Sequence, residues 1–280
     1  ESASGFTTTG ATILGDVEAL SHASMLWRCL MHWVGGMGIL VFMLIVLPLA
    51  GGQTIYLMRA ESPGPSVSKI SPHMRDTALI LYAIYFGLTV LQIILLLFGG
   101  SLLVDTIRKS KNGTHNSGCF SFHPTRNGGR KKEHGTGGFG NWNNSIAHYN
   151  SAYLQNVISV FMILFGINFN AYFLLLTRKF KQLFKIEEIR VYLGVIAVFT
   201  TLIAFNVRGC FGSLRESFHH SLFQVASIIT TTGFSTVDFN QWPAFSKLLL
   251  VLLMFIGACA GSTGGGMKCS RILLLEKSVK

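Results

Sequence analysis

Three short stretches of the chain combine threonine with glycine, and each comes just before a hydrophobic run. They are SGFTTTGATIL at 4–14, GTGGFGNWNNSI at 135–146 and TTTGFSTVDFNQWP at 230–243. Apart from Asp238 in the third, these motifs offer only neutral side chains, hydroxyls and backbone carbonyls. Glycine tolerates positive φ, so the backbone can turn successive carbonyls the same way. Several such carbonyls beside the partly negative C-terminus of a helix would form a cation site.

Each Thr/Gly motif taken alone is also typical of a helix C-cap followed by an ordinary turn. Three copies at equivalent points of a repeated unit favour the cation site over that alternative. Loops of this kind, arranged around one axis, could replace the hydration shell of an ion. Non-helical backbone at membrane depth persists only where it is buried in protein or lines a water-filled cavity.

A second kind of motif, GACAGSTGGG at 257–266, consists of small residues. Five of its ten residues are glycine, and none is larger than threonine. Glycine costs about 1 kcal/mol per helical position relative to alanine, so this stretch is predicted to interrupt a helix. Such a loop could obstruct a pore and move aside, whereas the alternative is close helix packing through small side chains. GSTGGGMK and GTGGFG imitate nucleotide-binding loops but lack the strand–helix context that those loops require.

The composition is typical of a membrane protein. Of the 280 residues, 50% are hydrophobic and 12% are charged, with a mean hydropathy of +0.47, whereas soluble domains carry about 25% charged residues. The net charge of +11 is clustered and accompanies no nucleic-acid-binding motif, so nucleic acid is not an expected partner. No set of nucleophile, base and acid is visible, which disfavours an enzyme, and no cofactor is expected. His115, Cys119 and His123 are too few for a metal site.

Hydrophobic runs predict an all-α, multipass membrane protein. Crossing a bilayer takes about 20 helical residues, and the runs that can do so are 25–49, 77–98, 152–176 and the marginal 190–206. Run 243–256 is too short alone and resumes at 269–275, after the glycine-rich motif. Run 217–229 is a half-helix that ends on the third Thr/Gly motif.

We interpret the asparagines and cysteines of these runs as structural residues and not as catalytic or metal-binding ones. Asn168, Asn170 and Asn206 are expected to form interhelical hydrogen bonds. The five cysteines are odd in number and lack the spacing of a disulfide framework, so we expect buried thiols.

The distribution of lysine and arginine predicts the orientation. Segments 51–76, 177–190 and the C-terminal tail are basic and fall on one side of the membrane if the spans alternate. The positive-inside rule makes that side cytoplasmic. The Thr/Gly motifs then lie on the outer side, each before a helix that runs inward.

Together these features resemble the Trk/Ktr/HKT superfamily of potassium-translocating subunits, and most of all its bacterial TrkH type. The resemblance rests on SGFTTTGAT, HWVGGMGILVF, RAESPGPS, GTGGFG, FMILFGINFNAYFLLL, TTTGFSTVDFNQWP and GACAGSTGGGMK. It implies a protein with four helix–pore-loop–helix repeats around one pseudo-fourfold pore. We expect this chain to be a fragment of such a protein, covering the end of repeat one, repeat two and repeat three. The expected division is 1–50 for the end of repeat one, 51–76 and 177–189 for cytoplasmic loops, 77–176 for repeat two and 190–280 for repeat three.

The resemblance also implies which residues act. The selectivity filter would comprise Thr8, Thr9, Gly10, Thr136, Gly137, Gly138, Thr231, Thr232 and Gly233. The glycine-rich motif would be an intramembrane gate formed by Gly257, Gly261, Ser262, Thr263, Gly264, Gly265, Gly266 and Lys268. Potassium at the filter is the only bound metal ion implied.

The implied function is K⁺ uptake across the bacterial plasma membrane. The family resemblance adds a homodimer and a cytoplasmic nucleotide-binding regulatory ring as partners, besides the lipid bilayer. The alternatives are a Na⁺-preferring or unselective cation transporter, and a non-conducting sensory or structural membrane subunit.

One stretch of repeat two, 101–134, departs from the family pattern. Residues 108–134 contain seven lysines and arginines where a descending pore helix belongs. Each such residue costs at least about 2.5 kcal/mol at the membrane centre. We therefore expect residues 108–134 to form an exposed outer loop that arose from an insertion or a reading-frame error.

Overall fold

The structure is a computed structural model, and it describes residues 1–7, 12–17, 19–36, 74–109, 145–148, 151–179 and 186–279. Helices and short turns make up this part of the chain. The β-structure within it is an isolated bridge between Ile256 and Met267. The all-α prediction is therefore confirmed for the described residues.

The helices are numbered here in chain order. They are α1 (Ser2–Phe6), α2 (His22–Gly36), α3 (Met74–Lys109), α4 (Ala152–Phe165), α5 (Phe169–Leu176), α6 (Glu187–Asn206), α7 (Leu214–Ile229), α8 (Ala244–Phe255) and α9 (Cys269–Val279). Short 3-10 turns occur at Ser145–His148, Arg208–Cys210 and Phe239–Gln241.

Two of the described helices are long and apolar enough to cross a membrane, over Leu79–Gly99 in α3 and Glu187–Asn206 in α6. Large hydrophobic side chains are exposed on α3, α6 and α8, including Phe98 at 63%, Phe205 at 62% and Phe255 at 65%. Serine, threonine and glutamine side chains are buried between the helices instead. This distribution fits helices surrounded by lipid, with the polar groups facing the protein interior.

Helix α7 lies in the segment 190–280, which was predicted to be repeat three. Ser213 caps its N-terminus by accepting a hydrogen bond from the N–H of Glu216. Val225 and Ile229 of α7 are fully buried in the hydrophobic core that α6 and α8 share. With 16 residues, α7 is shorter than a typical membrane span, and its C-terminus is buried in the protein at Ile229 and Thr230. The Thr/Gly motif that follows therefore begins inside the protein.

The run 152–176, predicted to span a bilayer, forms two helices that together are long and apolar enough for one broken span. Helix α4 ends at Phe165 and α5 begins at Phe169, with their axes 92° apart. Gly166 lies at the break, where a Cβ atom would overlap the hydroxyl of Tyr192. Asn168 caps α5, because its Oδ1 accepts a hydrogen bond from the N–H of Asn170 at 2.9 Å. The Oδ1 of Asn168 therefore serves as a helix cap and not as an interhelical acceptor.

Several other sequence expectations are met. Asn206 accepts a hydrogen bond from Ser246 of α8 at 2.7 Å, which is the predicted interhelical contact. The short runs 217–229 and 243–256 form α7 and α8, and the chain resumes as α9 after the glycine-rich motif. Of the four cysteines in the described residues, Cys29, Cys259 and Cys269 are buried free thiols as expected, whereas Cys210 is exposed, contrary to that expectation, because it lies in the 3-10 turn after α6.

Part of the remaining sequence interpretation lies outside the described residues. Residues 37–49 of the first predicted span are among these. Run 77–98 lies within the longer α3, whose final residues are Arg108 and Lys109. Those two residues are helical, contrary to the loop expected from position 108, and for residues 110–134 the loop stays a prediction.

A candidate ion filter and the loop packed against it

The third Thr/Gly motif begins where α7 ends. Thr230 is the C-cap residue of the helix. The N–H groups of Thr232 and Gly233 donate to the carbonyl of Ser227 at 2.9 and 3.4 Å. The hydroxyl of Ser227 donates in turn to the carbonyl of Phe234 at 2.6 Å. These bonds fold the motif back onto the last turn of α7.

This turn contains three consecutive backbone carbonyls, those of Thr231, Thr232 and Gly233, which we call the carbonyl row. Thr231 and Gly233 have φ of 55° and 78°, a conformation that costs an L-residue about 1–2 kcal/mol and is rare for a β-branched side chain. Within the described part of the chain, no residue donates a hydrogen bond to the carbonyl oxygens of Thr231, Thr232 or Gly233. Three consecutive acceptors are thus available beside a helix C-terminus, where the partial negative charge favours a cation.

Residues 257–268 form the connection between α8 and α9, and they are not helical, as their glycine content predicted. The N–H of Gly257 donates to the carbonyl of Met267 at 2.8 Å, which closes the base of the loop. A Cβ atom on Gly257 would overlap the carbonyl oxygen of Gly265. Glycine is therefore required at 257 by the close approach of the two arms. Residues 257–268, which the family resemblance predicts to be a gate, are called the gate loop.

The gate loop fills the break between α4 and α5. Backbone and hydroxyl groups make the contact through three pairs: Cys259 N–H to Gly166 O at 3.1 Å, Phe169 N–H to Gly261 O at 2.9 Å, and Thr263 Oγ1 to Phe165 O at 3.1 Å. In a continuous helix, the carbonyls of Phe165 and Gly166 and the N–H of Phe169 would bond within the helix itself. The break and the loop therefore satisfy one another's polar groups inside the protein.

A hydrogen bond joins the gate loop directly to the Thr/Gly turn. The N–H of Gly265 donates to Oγ1 of Thr231 at 2.7 Å. The same hydroxyl donates to the carbonyl of Thr230 at 2.7 Å. The loop therefore contacts the turn at Thr231, the non-glycine residue of the turn that has positive φ.

Two charged residues hold the gate loop. Lys268 is 7% exposed, and its Nζ donates to the carbonyl of Gly264. Glu188, in the first turn of α6, accepts hydrogen bonds through Oε1 from the N–H groups of Ala260 at 2.6 Å and Ser270 at 3.2 Å. Sequence reasoning included Lys268 but missed Glu188, whose only signal was an acidic residue at the edge of a predicted span.

The other two Thr/Gly motifs lie only partly within the described residues. Their candidate residues Thr8, Thr9, Gly10, Thr136, Gly137 and Gly138 lie outside the described residues. The end of the second motif does contact the third: the N–H of Ser235 donates to Oγ of Ser145 at 3.3 Å, and the N–H of Ala147 donates to the carbonyl of Ser235 at 3.2 Å. Two of the three motifs therefore meet at this point.

Comparison with known proteins places this arrangement in a family. A family model named TrkH and described as a cation transport protein matches residues 1–280. The chain belongs to the TrkH family. The resemblance drawn from the motifs is thereby confirmed. The family consists of transporters, in agreement with the sequence prediction that the chain is not an enzyme.

Individual TrkH-family relatives match nearly the whole chain. The Trk system potassium uptake protein TrkH of Salmonella typhimurium is 37% identical over 282 residues, which are 99% of this chain and 54% of that protein. TrkG of Escherichia coli, also named a Trk system potassium uptake protein, is 33% identical over 286 residues, covering 100% of this chain and 54% of the relative. The chain therefore spans about half the length of the curated relatives that it matches.

A solved structure gives the same result for the fold. The crystal structure of the potassium transporter TrkH from Vibrio parahaemolyticus matches with a TM-score of 0.70 and 28% identity, over 98% of this chain and 52% of that chain. This TrkH-family chain is accordingly a multipass helical membrane protein.

Proposed function

We propose that this chain, within a protein of the length of its relatives, takes up K⁺ across the bacterial plasma membrane. The observation that carries the proposal is the turn at Thr231, Thr232 and Gly233, whose three carbonyls have no donor among the described residues. The printed names of the relatives, potassium uptake proteins, indicate the ion. The family model covers the whole chain, which supports a transport role.

The proposed filter works by exchanging water for carbonyl oxygens. A K⁺ ion that enters the turn loses part of its hydration shell and gains backbone acceptors in return. The C-terminus of α7 adds a fixed partial negative charge that is buried and therefore weakly screened. Residues 8–10 and 136–138 supply two further sides of the site in this proposal. The rest of the complete protein supplies the fourth.

The gate loop is proposed to close the pathway next to the filter. Its contacts with α4, α5 and Thr231 are hydrogen bonds, each with a net worth of about 0.5–1.5 kcal/mol. The bond between Gly265 and Thr231 can therefore break at a modest cost in free energy, while Ala258 and Cys259 keep the start of the loop in the hydrophobic core. The gate residues in this proposal are those that the family resemblance implied, Gly257, Gly261, Ser262, Thr263, Gly264, Gly265, Gly266 and Lys268.

The partners belong to the proposal as well. The family resemblance supports a homodimer and a cytoplasmic nucleotide-binding regulatory ring. The positive-inside rule puts the segment before α6 on the cytoplasmic side. A cytoplasmic regulator would therefore act close to the start of α6, which contacts the gate loop through Glu188.

Ion flux through the complete protein in liposomes tests the proposal. Uptake of K⁺ (or Rb⁺ as its tracer) is compared with uptake of Na⁺ under equal gradients, with empty liposomes as the control. We expect K⁺ uptake to exceed Na⁺ uptake. Equal or greater Na⁺ uptake would favour the unselective or Na⁺-preferring alternative, and no flux from a folded protein would favour the non-conducting one.

A further inference from the structure

Glu188 holds both ends of the gate loop with a single oxygen atom. Its Oε1 accepts the N–H of Ala260, near the start of the loop, at 2.6 Å. It also accepts the N–H of Ser270, just after the loop, at 3.2 Å. These two residues are separated along the chain by the small residues that contact the filter turn. Within the described residues, Glu188 is thus a bridge between the two arms of the loop.

The surroundings of Glu188 favour these bonds. The carboxylate lies in the first turn of α6, and Ser270 lies in the first turn of α9. Helix N-termini carry partial positive charge, which favours a carboxylate placed beside them. Hydrogen bonds to an ionised acceptor are roughly twice as strong as neutral ones. Glu188 therefore anchors the loop more firmly than its neutral contacts do.

We propose that Glu188 is the positioning residue that latches the gate loop in its closed conformation, an inference that rests on the proposed gating role of the loop. Because both N–H donors share Oε1, a shift of the first turn of α6 releases both arms together. Such a shift would come from the cytoplasmic side, where α6 begins. Glu188 is thereby the point at which movement of α6 becomes movement of the loop.

The neighbouring Glu187 provides a matched control. It has the same charge and lies in the same turn of α6, but it forms an exposed ion pair with Lys277 of α9. Exposed ion pairs contribute little to stability. Glu187→Gln removes the same charge from the same turn and leaves both contacts of Glu188 with the loop in place.

Thiol labelling measures the position of the loop independently of transport. Cys259, in the gate loop, is fully buried, and Cys29 is a buried thiol in α2. The complete protein is prepared with either Cys259 or Cys29 as its only cysteine, and each version carries Glu188→Ala, Glu188→Gln or Glu187→Gln. Labelling by a small maleimide and K⁺ flux in liposomes are then measured side by side.

We expect Glu188→Ala to raise the labelling rate of Cys259 at least about tenfold, with the basal K⁺ flux rising in parallel. Glu188→Gln keeps a neutral acceptor and should give a smaller rise, while Glu187→Gln should give none. Cys29 should be unaffected throughout. Faster Cys259 labelling without extra flux would support the latch and contradict the gating role of the loop.

Two results would overturn the latch. One is an unchanged labelling rate of Cys259 in Glu188→Ala. The other is a joint rise at Cys259 and Cys29, which would mean that Glu188 merely stabilises the fold. If the alanine variant does not fold, Glu188→Gln decides by the same measurements, and a wild-type labelling rate in that variant overturns the proposal.

Discussion

Thr231 is the residue at which the proposed filter and the gate loop meet. Its backbone has the positive φ that turns the carbonyl row, and its hydroxyl accepts the N–H of Gly265. Strained conformations of this kind persist where the surrounding structure fixes them, often at functional sites. Sequence reasoning selected Thr231 by its motif, but neither the strain nor the contact with Gly265 is visible in the local sequence.

Thr231→Val removes the hydroxyl and keeps the shape of the side chain. The N–H of Gly265 then loses its acceptor, at a cost of about 1–3 kcal/mol if it stays unpaired. We predict a higher basal Rb⁺ efflux from liposomes that contain the complete protein. Thr231→Ser keeps the hydroxyl and should behave like the wild type, so equal efflux from the two variants would refute a role for this hydrogen bond.

Gly233→Ser tests the carbonyl row at its glycine. Gly233 has a φ of 78°, which would strain a serine at this position by about 1–2 kcal/mol. Relief of this strain would turn the carbonyl of residue 233 away from the proposed ion site. We predict a lower K⁺/Na⁺ flux ratio in a protein that remains folded. Gly212→Ser is the control, because its nearest neighbour is 3.9 Å from a Cβ atom and its φ is ordinary. An unchanged flux ratio in well-expressed Gly233→Ser would rule out this role of the turn.

At the level of elements, the half-helix and the unwound loop could be predicted, whereas the helix break could not. The short apolar run 217–229 and the five glycines of 257–266 act through local sequence, which is why both elements were predicted. The break at Gly166 depends on Tyr192 and Thr263, which are distant in sequence. The contacts of Glu188 likewise span 72 and 82 residues and go to backbone N–H groups, which carry no side-chain signature.

Gly166→Ala tests whether the break requires close approach of Tyr192. The added methyl overlaps the hydroxyl of Tyr192, and overpacking of this kind typically costs about 1–3 kcal/mol. We predict a lower thermal unfolding temperature, which the second change Tyr192→Phe should partly restore. Gly194→Ala, with open space around its Cβ, should not destabilise. A Gly166→Ala variant as stable as Gly194→Ala would show that the contact is not limiting.

Shortening the gate loop tests its role as an obstruction. Deletion of residues 261–266 removes the bonds of the loop to α5, Phe165 and Thr231. We predict a larger K⁺ leak through the complete protein in liposomes. Flux that stays equal or falls, with the protein still folded by size-exclusion chromatography, would mean that the loop does not block the path.

For the whole molecule, composition and hydrophobic runs were sufficient to predict the membrane class and the helical fold. The family resemblance predicted more, including repeats around one pore. In the described residues the second and third Thr/Gly motifs are in contact at Ser145 and Ser235, whereas the division into repeats stays a prediction. The orientation, the assembly and the loop expected at 110–134 stay predictions, because they depend on the bilayer, on partner chains or on residues outside the described part.

Anomalous scattering from Rb⁺ in crystals of the complete protein tests the central claim most directly. Rubidium replaces K⁺ at carbonyl sites and can be located without assuming a function. We predict an anomalous peak within bonding distance of the carbonyl oxygens of Thr231, Thr232 and Gly233, and its loss in Gly233→Ser. A transport-active protein whose rubidium peaks all lie away from these three carbonyls would contradict the proposed filter.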